Sequence, residues 1–126
     1  MSLVLDAGAF LAVERGDRNV VALVKRERSA GRAPLTHGGV VAQIWRGGSG
    51  RQVHVARLLA GVDVRPLDEQ LGKRAGVLLG RSGAEDAVDA ALVCLAADED
   101  EILTSDPRDL RDLAEIAGVH VDLVPV

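Results

Sequence analysis

Apolar and polar residues follow two different periods along this chain, and the switches between them lay out alternating strands and helices. Leu3 to Leu5 is a short apolar run ending at Asp6, and Ala7 to Arg15 reads as a first helix. Asn19 to Ala30 sets Val20, Val21, Leu23 and Val24 against Lys25, Arg26 and Arg28 in an amphipathic pattern that stops at Gly31. Ala33 to Thr36 is a short extended piece and Val40 to Trp45 a helix. Gly47-Gly48-Ser49-Gly50 is the most flexible stretch, followed by a helix over Arg51 to Ala60. Val62 to Leu67 alternates as a strand should, and Asp68 caps a helix running to about Arg81. Glu85 to Ala97 is the most strongly apolar helix. Ile102 to Thr104 is a strand, Pro107 to Ala117 a helix ended by Gly118, and Val119 to Val126 a final alternating strand.

Strands separated by helices over the whole length predict an α/β domain with a mainly parallel sheet and helices on both faces. With 126 residues, no repeats and no linker, residues 1–126 are expected to form one domain around one core. Aromatics make up 2% of the chain, so that core is expected to be Leu, Val, Ile and Ala, and stacking platforms for bases are excluded. The single cysteine, Cys94, has no partner for an internal disulfide and is expected to fill the core. Met1 to Val13 has no basic leader pattern, and the longest apolar run, Ala90 to Ala97, is too short to span a bilayer. These features predict a cytoplasmic protein without a membrane partner.

The formal charge is −4, but its distribution is uneven. Residues 15 to 57 hold nine Lys or Arg against two acids, a segment charge of +7, which leaves −11 for the remainder. Such a field suits a protein that holds cations in one place and a polyanion in another, although solvated helix faces produce it too.

Three aspartates stand where apolar segments end or are interrupted: Asp6, Asp89 and Asp106. In an open parallel sheet, ligands bind beyond the carboxyl ends of the strands, where the strand order reverses. Asp6 and Asp106 each follow such an end, and they converge if the first and fourth strands are neighbours. Each also has a plain reading as a helix N-cap, strengthened for Asp106 by Pro107 at the first helical position. Asp89 is the only residue from Ala87 to Ala97 that is not apolar, and it projects close to Leu92, Val93 and Ala96. A carboxylate there must take up a proton or find a cation. Asp86 shares its face at i, i+3 spacing, either as a supporting ligand or as an acid suited to a helix start.

The segments Val4-Leu5-Asp6, Asp86-Ala87-Val88-Asp89-Ala90 and Leu103-Thr104-Ser105-Asp106-Pro107-Arg108-Asp109-Leu110 together resemble the acidic motifs of PIN-domain ribonucleases, most closely the VapC-type toxins of bacterial toxin–antitoxin pairs. The resemblance covers essentially the whole chain in length and order of elements. It implies a PIN-like three-layer α/β/α sandwich with a five-stranded sheet of order 3-2-1-4-5. It implies Asp6, Asp89 and Asp106 as metal ligands, with Asp86, Asp109 and Thr104 as supporting candidates. The family's second motif is usually a helical glutamate. Here Gln43 stands at that place, able to orient a water but bringing no charge and taking no proton. Arg46, on the same helix, is a candidate phosphate holder or the member of an ion pair.

Oxygen-only donors predict Mg²⁺ or Mn²⁺ rather than zinc. The activity implied by the resemblance is endoribonuclease cleavage of RNA, with tRNA and rRNA as candidate substrates, by a homodimer held in check by a cognate antitoxin. The alternative is a PIN-like module that has lost turnover through Gln43 and binds RNA or protein. A phosphoryl-receiver reading fails because Lys25 and Lys73 are the only lysines and neither follows a late strand. His37-Gly38-Gly39 has the look of an oxyanion-hole segment, but no G-x-S-x-G nucleophile accompanies it. His54 and His120 are expected to be structural or surface residues.

Overall fold

The computed structural model describes residues 1–47 and 50–126. Within them the elements run β1 (Leu3–Leu5), α1 (Ala7–Glu14), α2 (Arg18–Ser29), β2 (Leu35–His37), α3 (Gly38–Ile44), α4 (Val53–Ala60), β3 (Asp63–Arg65), α5 (Glu69–Ser82), α6 (Ala87–Leu95), β4 (Glu101–Thr104), α7 (Pro107–Ala117) and β5 (Asp122–Pro125). The sheet has the order β3-β2-β1-β4-β5, and every neighbouring pair is parallel. Connections leaving β1 run toward β2 and β3, while those serving β4 and β5 run the other way. Right-handed crossovers therefore place α1 to α4 on one face and α5 to α7 on the other. The packing agrees: α1 contacts α2, α3 and α4, whereas α5, α6 and α7 pack on one another.

Most boundaries fall within two residues of the pattern, and the differences have local causes. The apolar helix begins at Ala87 rather than Glu85 because the Asp86 side chain accepts from the Asp89 N–H and so occupies the N-cap. The segment from Gly50 to Gln52 is a 3-10 turn before α4, and the last strand is confined to Asp122–Pro125. The short extended piece pairs as Leu35–His37. Of the stretch expected to be flexible, Gly48 and Ser49 lie outside the described residues.

The central strands are buried apart from Glu101 at the start of β4: Leu3, Val4, Leu5, Ile102 and Leu103 are fully covered. One expectation is corrected here, because the largest fully buried side chain is the single phenylalanine, Phe10 of α1. Cys94 is half-buried at a surface groove between α5 and α6, not a core residue.

Two carboxylates fix the opposite end of the sheet. Asp100 is buried and accepts from the N–H groups of Ser2 (2.7 Å) and Ala97 (2.9 Å), which sets β1 beside β4. Glu27 is also buried, and Arg32 grips both its oxygens at 2.8 and 3.2 Å. The Arg32 hydrogen bonds hold the Glu27 carboxyl below the usual carboxylate range. On the other face, Arg74 and Arg81 of α5 donate to the last-turn carbonyls of Cys94 (2.6 Å) and Ile116 (2.9 Å). They satisfy helix-end acceptors that would otherwise face the groove unpaired.

Candidate active site

Asp6 leaves the carboxyl end of β1 and enters α1 as its N-cap. Its Oδ1 accepts from the Ala9 N–H at 3.1 Å, the ordinary capping bond, while Oδ2 accepts from the Ser105 N–H at 3.3 Å across the sheet. The second bond is possible because β1 pairs with β4 in register, Leu5 opposite Leu103, and the Asp6 N–H itself donates to the Leu103 carbonyl at 3.1 Å. Asp6 is buried, and that burial pushes its carboxyl above the ordinary value. Hydrogen bonds from Thr104, Ala9 and Ser105 work in the opposite direction.

Thr104 links the two acidic ends. It is fully buried, hydrogen-bonds the Asp6 carboxylate and accepts from the Asp106 N–H at 2.8 Å. Asp106 occupies the N-cap position of α7 with Pro107 at the first helical position, yet its side chain makes no capping hydrogen bond. The aspartates before α1, α2, α5 and α6 all use their carboxylates as caps. Asp106 alone of these keeps its carboxylate free of that duty.

From the other layer, α6 brings Asp86 at its N-cap and Asp89 in its first turn. Asp6, Gln43, Asp86, Asp89 and Asp106, with Ala7 and Ser105, line one cavity of about 320 Å³ beyond the carboxyl ends of β1 and β4. Asp89 is half-buried, and its carboxyl is pushed up to about 7, first by burial and then by the charges of Asp86, Asp6, Asp106 and Asp109. Asp109 lies in an adjoining cavity with Asp86, Asp89 and Asp112 rather than in the same one. Gln43 reaches the cavity as an exposed side chain of α3. Arg46 does not line it. Its guanidinium turns back to the carbonyls of Ala42 (3.1 Å) and Trp45 (2.9 Å) at the end of α3.

The donor set consists of hard oxygens, and the shared negative charge suits a divalent cation. Among the described residues no three His, Cys, Asp or Glu side chains are already drawn together as a ligand cluster. Like charges repel when no counter-charge lies between them, and a cation that keeps several of its waters does not need the carboxylates closer.

Three contributors are not among the candidate site residues read from the sequence. Gly8 is one: a Cβ there would lie 2.7 Å from both Cβ and Oγ of Ser105 and 3.0 Å from its backbone nitrogen. Gly8→Ala is therefore expected to wedge β4–α7 away from Asp6, lowering stability by about 1–3 kcal/mol. Thermal unfolding checks this, and adding Ser105→Gly in the same chain should recover part of the loss. Ser105 is the second contributor, through its N–H. The third is His37, fully buried at the end of β2. Its Nδ1 accepts from the Gly39 N–H (3.0 Å) and its Nε2 lies 2.9 Å from the Val88 carbonyl. Burial holds its pKa below the ordinary value.

A second surface feature lies at the far end of α1. Arg15, Lys25, Arg28, His54 and Arg57, with one acid, Glu14, line a groove whose apolar residues are Val13, Val21, Val24 and Leu58. The eight residues of α1 thus run about 12 Å from an acidic cavity to a basic groove. No described helix is long and apolar enough to cross a membrane.

No protein-family model matches the chain, and no curated protein matches its sequence. Among solved structures the chain is similar to one in the crystal structure of VapBC2 from Rickettsia felis bound to a DNA fragment from their promoter, with a TM-score of 0.72 and 9% identity over 98% of both chains. At that identity the likeness is one of architecture, and it agrees with the strand order: this chain has a PIN-like α/β/α fold.

Proposed function

We propose that this protein is a metal-dependent endoribonuclease and the toxin component of a toxin–antitoxin pair. One observation carries the reading: four aspartates from three separate elements line a single cavity, where burial first and then the neighbouring carboxylates push Asp89 up to about 7. A structural acid has no use for such an arrangement, whereas a hard cation beside a phosphodiester does. The PIN-like fold, shared with a chain of a VapBC complex, supports the same reading.

Asp6, Asp89 and Asp106 would hold Mg²⁺ or Mn²⁺, with Asp86 and Asp109 adding negative charge behind them. When bound, the cation supplies an acidified water and offsets charge developing on the phosphoryl oxygens. The chain's own residues do the positioning. Thr104 and Ser105 orient the Asp6 carboxylate, and Gln43 presents an amide able to orient a water or a phosphate oxygen without exchanging a proton. Arg46, occupied at the end of α3, contributes little to phosphate binding. In the same proposal the protein works as a homodimer, and the groove of basic and apolar residues between α1, α2 and α4 receives an amphipathic, acidic segment of the antitoxin.

Purified protein should cut a structured RNA such as tRNA or rRNA in Mg²⁺ or Mn²⁺, leave 5′-phosphate ends and stop on chelation. Absence of cutting in both metals would sink the reading. Gln43→Glu separates an active enzyme from a binding module. A fifth acidic side chain facing the cavity should tighten Mn²⁺ binding and raise cleavage about tenfold. RNA that binds but stays intact in wild type, with cutting appearing only in Gln43→Glu, would identify the module instead.

A further inference from the structure

We infer that His37 is a positioning residue: through one neutral tautomer it locks the acidic first turn of α6 to the segment that carries Gln43, and so sets the width of the cavity. The inference rests on the nuclease reading for its consequence, but on geometry for its existence.

His37 is the last residue of β2 and the N-cap of α3, and it is fully buried. Its two ring nitrogens face opposite requirements. The Gly39 N–H points at Nδ1 from 3.0 Å, so Nδ1 must be the acceptor. The Val88 carbonyl lies 2.9 Å from Nε2, so Nε2 must carry the proton and donate. The neutral Nε2–H form satisfies both partners, while the other neutral form and the imidazolium each set two N–H groups against one another at Gly39. A single protonation state is therefore built into the site.

The two partners belong to opposite layers. Gly39 lies in the first turn of α3, one turn before Gln43, and Val88 immediately precedes Asp89. Gln43, Asp86 and Asp89 line the same cavity. Among the described residues, no other side-chain hydrogen bond joins α6 to the β2–α3 segment; the α6 carbonyl at Cys94 is tied to α5 instead. The ring is also fixed in place by its surroundings. A Cβ on residue 39 would come within 2.8 Å of His37 Cε1 and 3.0 Å of Nδ1, so the glycine is what admits the imidazole. Hydroxyl and carboxylate caps serve a helix start well, but they are too short to span from the end of β2 to the next layer.

The test compares His37→Ser, which keeps a capping oxygen for α3 but cannot reach Val88, with His37→Gln, which retains length and a donor. Hydrogen exchange should accelerate at least tenfold at the α6 amides of Ala90 to Leu92 in His37→Ser, with β1 and β4 unchanged. The Mn²⁺ concentration for half-saturation, read by electron paramagnetic resonance, should rise at least fivefold, and His37→Gln should recover part of both. In wild type at pH 8, long-range ¹⁵N–¹H correlation should show the Nε2–H tautomer. Exchange and Mn²⁺ binding that stay at wild-type values in a folded His37→Ser protein would overturn the inference. So would a uniform acceleration across the sheet, which marks general loosening, or a ring found in the Nδ1–H form. If wild type binds no Mn²⁺ and cuts no RNA, the nuclease reading falls, while the exchange and tautomer measurements still decide the role of His37.

Discussion

Asp6→Asn is expected to lower Mn²⁺-dependent RNA cleavage by at least about a hundredfold while leaving the protein folded. The amide oxygen of asparagine can still accept from the Ala9 N–H and cap α1, and removal of a buried charge relieves the desolvation that pushes Asp6 upward. What the variant cannot reproduce is the second oxygen. That position now carries an N–H group facing the Ser105 N–H, two donors together where a donor met an acceptor. The ligand charge and the link across β1 and β4 are lost at once. Cleavage rates with matched circular-dichroism spectra check this. A variant that cuts at the wild-type rate would show either a contaminating nuclease or a site elsewhere on the molecule.

The second large effect is a pH dependence that a cation should erase. In the unfolded chain Asp89 titrates near 3.8, and in the metal-free fold it holds its proton to about 7. Between those values the native state binds a proton that the unfolded state has released. Its contribution to stability is therefore fully present below about pH 4 and is lost as pH rises through 7. After allowance for solvent at a half-exposed position, the loss is at least about 1 kcal/mol. That corresponds to about 3–6 °C in Tm for a domain of this size. Asp6 shifts in the same direction and Glu27 in the opposite one, so the informative quantity is the difference between wild type and Asp89→Asn. The variant should be the more stable protein at pH 8 and indistinguishable at pH 4. Saturating Mn²⁺ should raise the wild-type Tm at pH 8 and do little at pH 5, where the cation competes with a proton. Parallel Tm–pH curves for the two proteins would refute the account.

The fold was largely legible because its signals are periodic. β1 is an unbroken apolar run and β4 has the apolar pair Ile102-Leu103 at its centre, as strands buried on both faces require, and α2 and α5 carry apolar stripes between caps. The positions of Asp6 and Asp106 could be read as well, since both follow directly from strand ends in a parallel sheet. Two things escaped. One was the division of labour among the aspartates. Spacing alone gives Asp86 and Asp106 the same appearance before a helix, yet Asp86 caps and Asp106 does not, a difference that rests on backbone dihedrals. The other was the supporting frame of Gly8, Ser105 and His37. Each acts through a contact with a residue distant in sequence, or, for Gly8, through the absence of a side chain. The pairing of His37 with a following Gly-Gly was the one available hint, and its meaning depended on α6 arriving from fifty residues away.

The bond between Asp6 and Ser105 joins residues 99 apart in sequence. Contacts of that separation form late, because a long stretch of chain must be ordered before they close. During synthesis the ribosome releases β1, β2 and β3 well before β4, and a nascent chain that stops short of Asp106 holds only part of the acidic set. On the nuclease reading, copies cut short before Asp106 should thus be inert toward RNA, and cutting should emerge abruptly, only once β4 and α7 have left the exit tunnel.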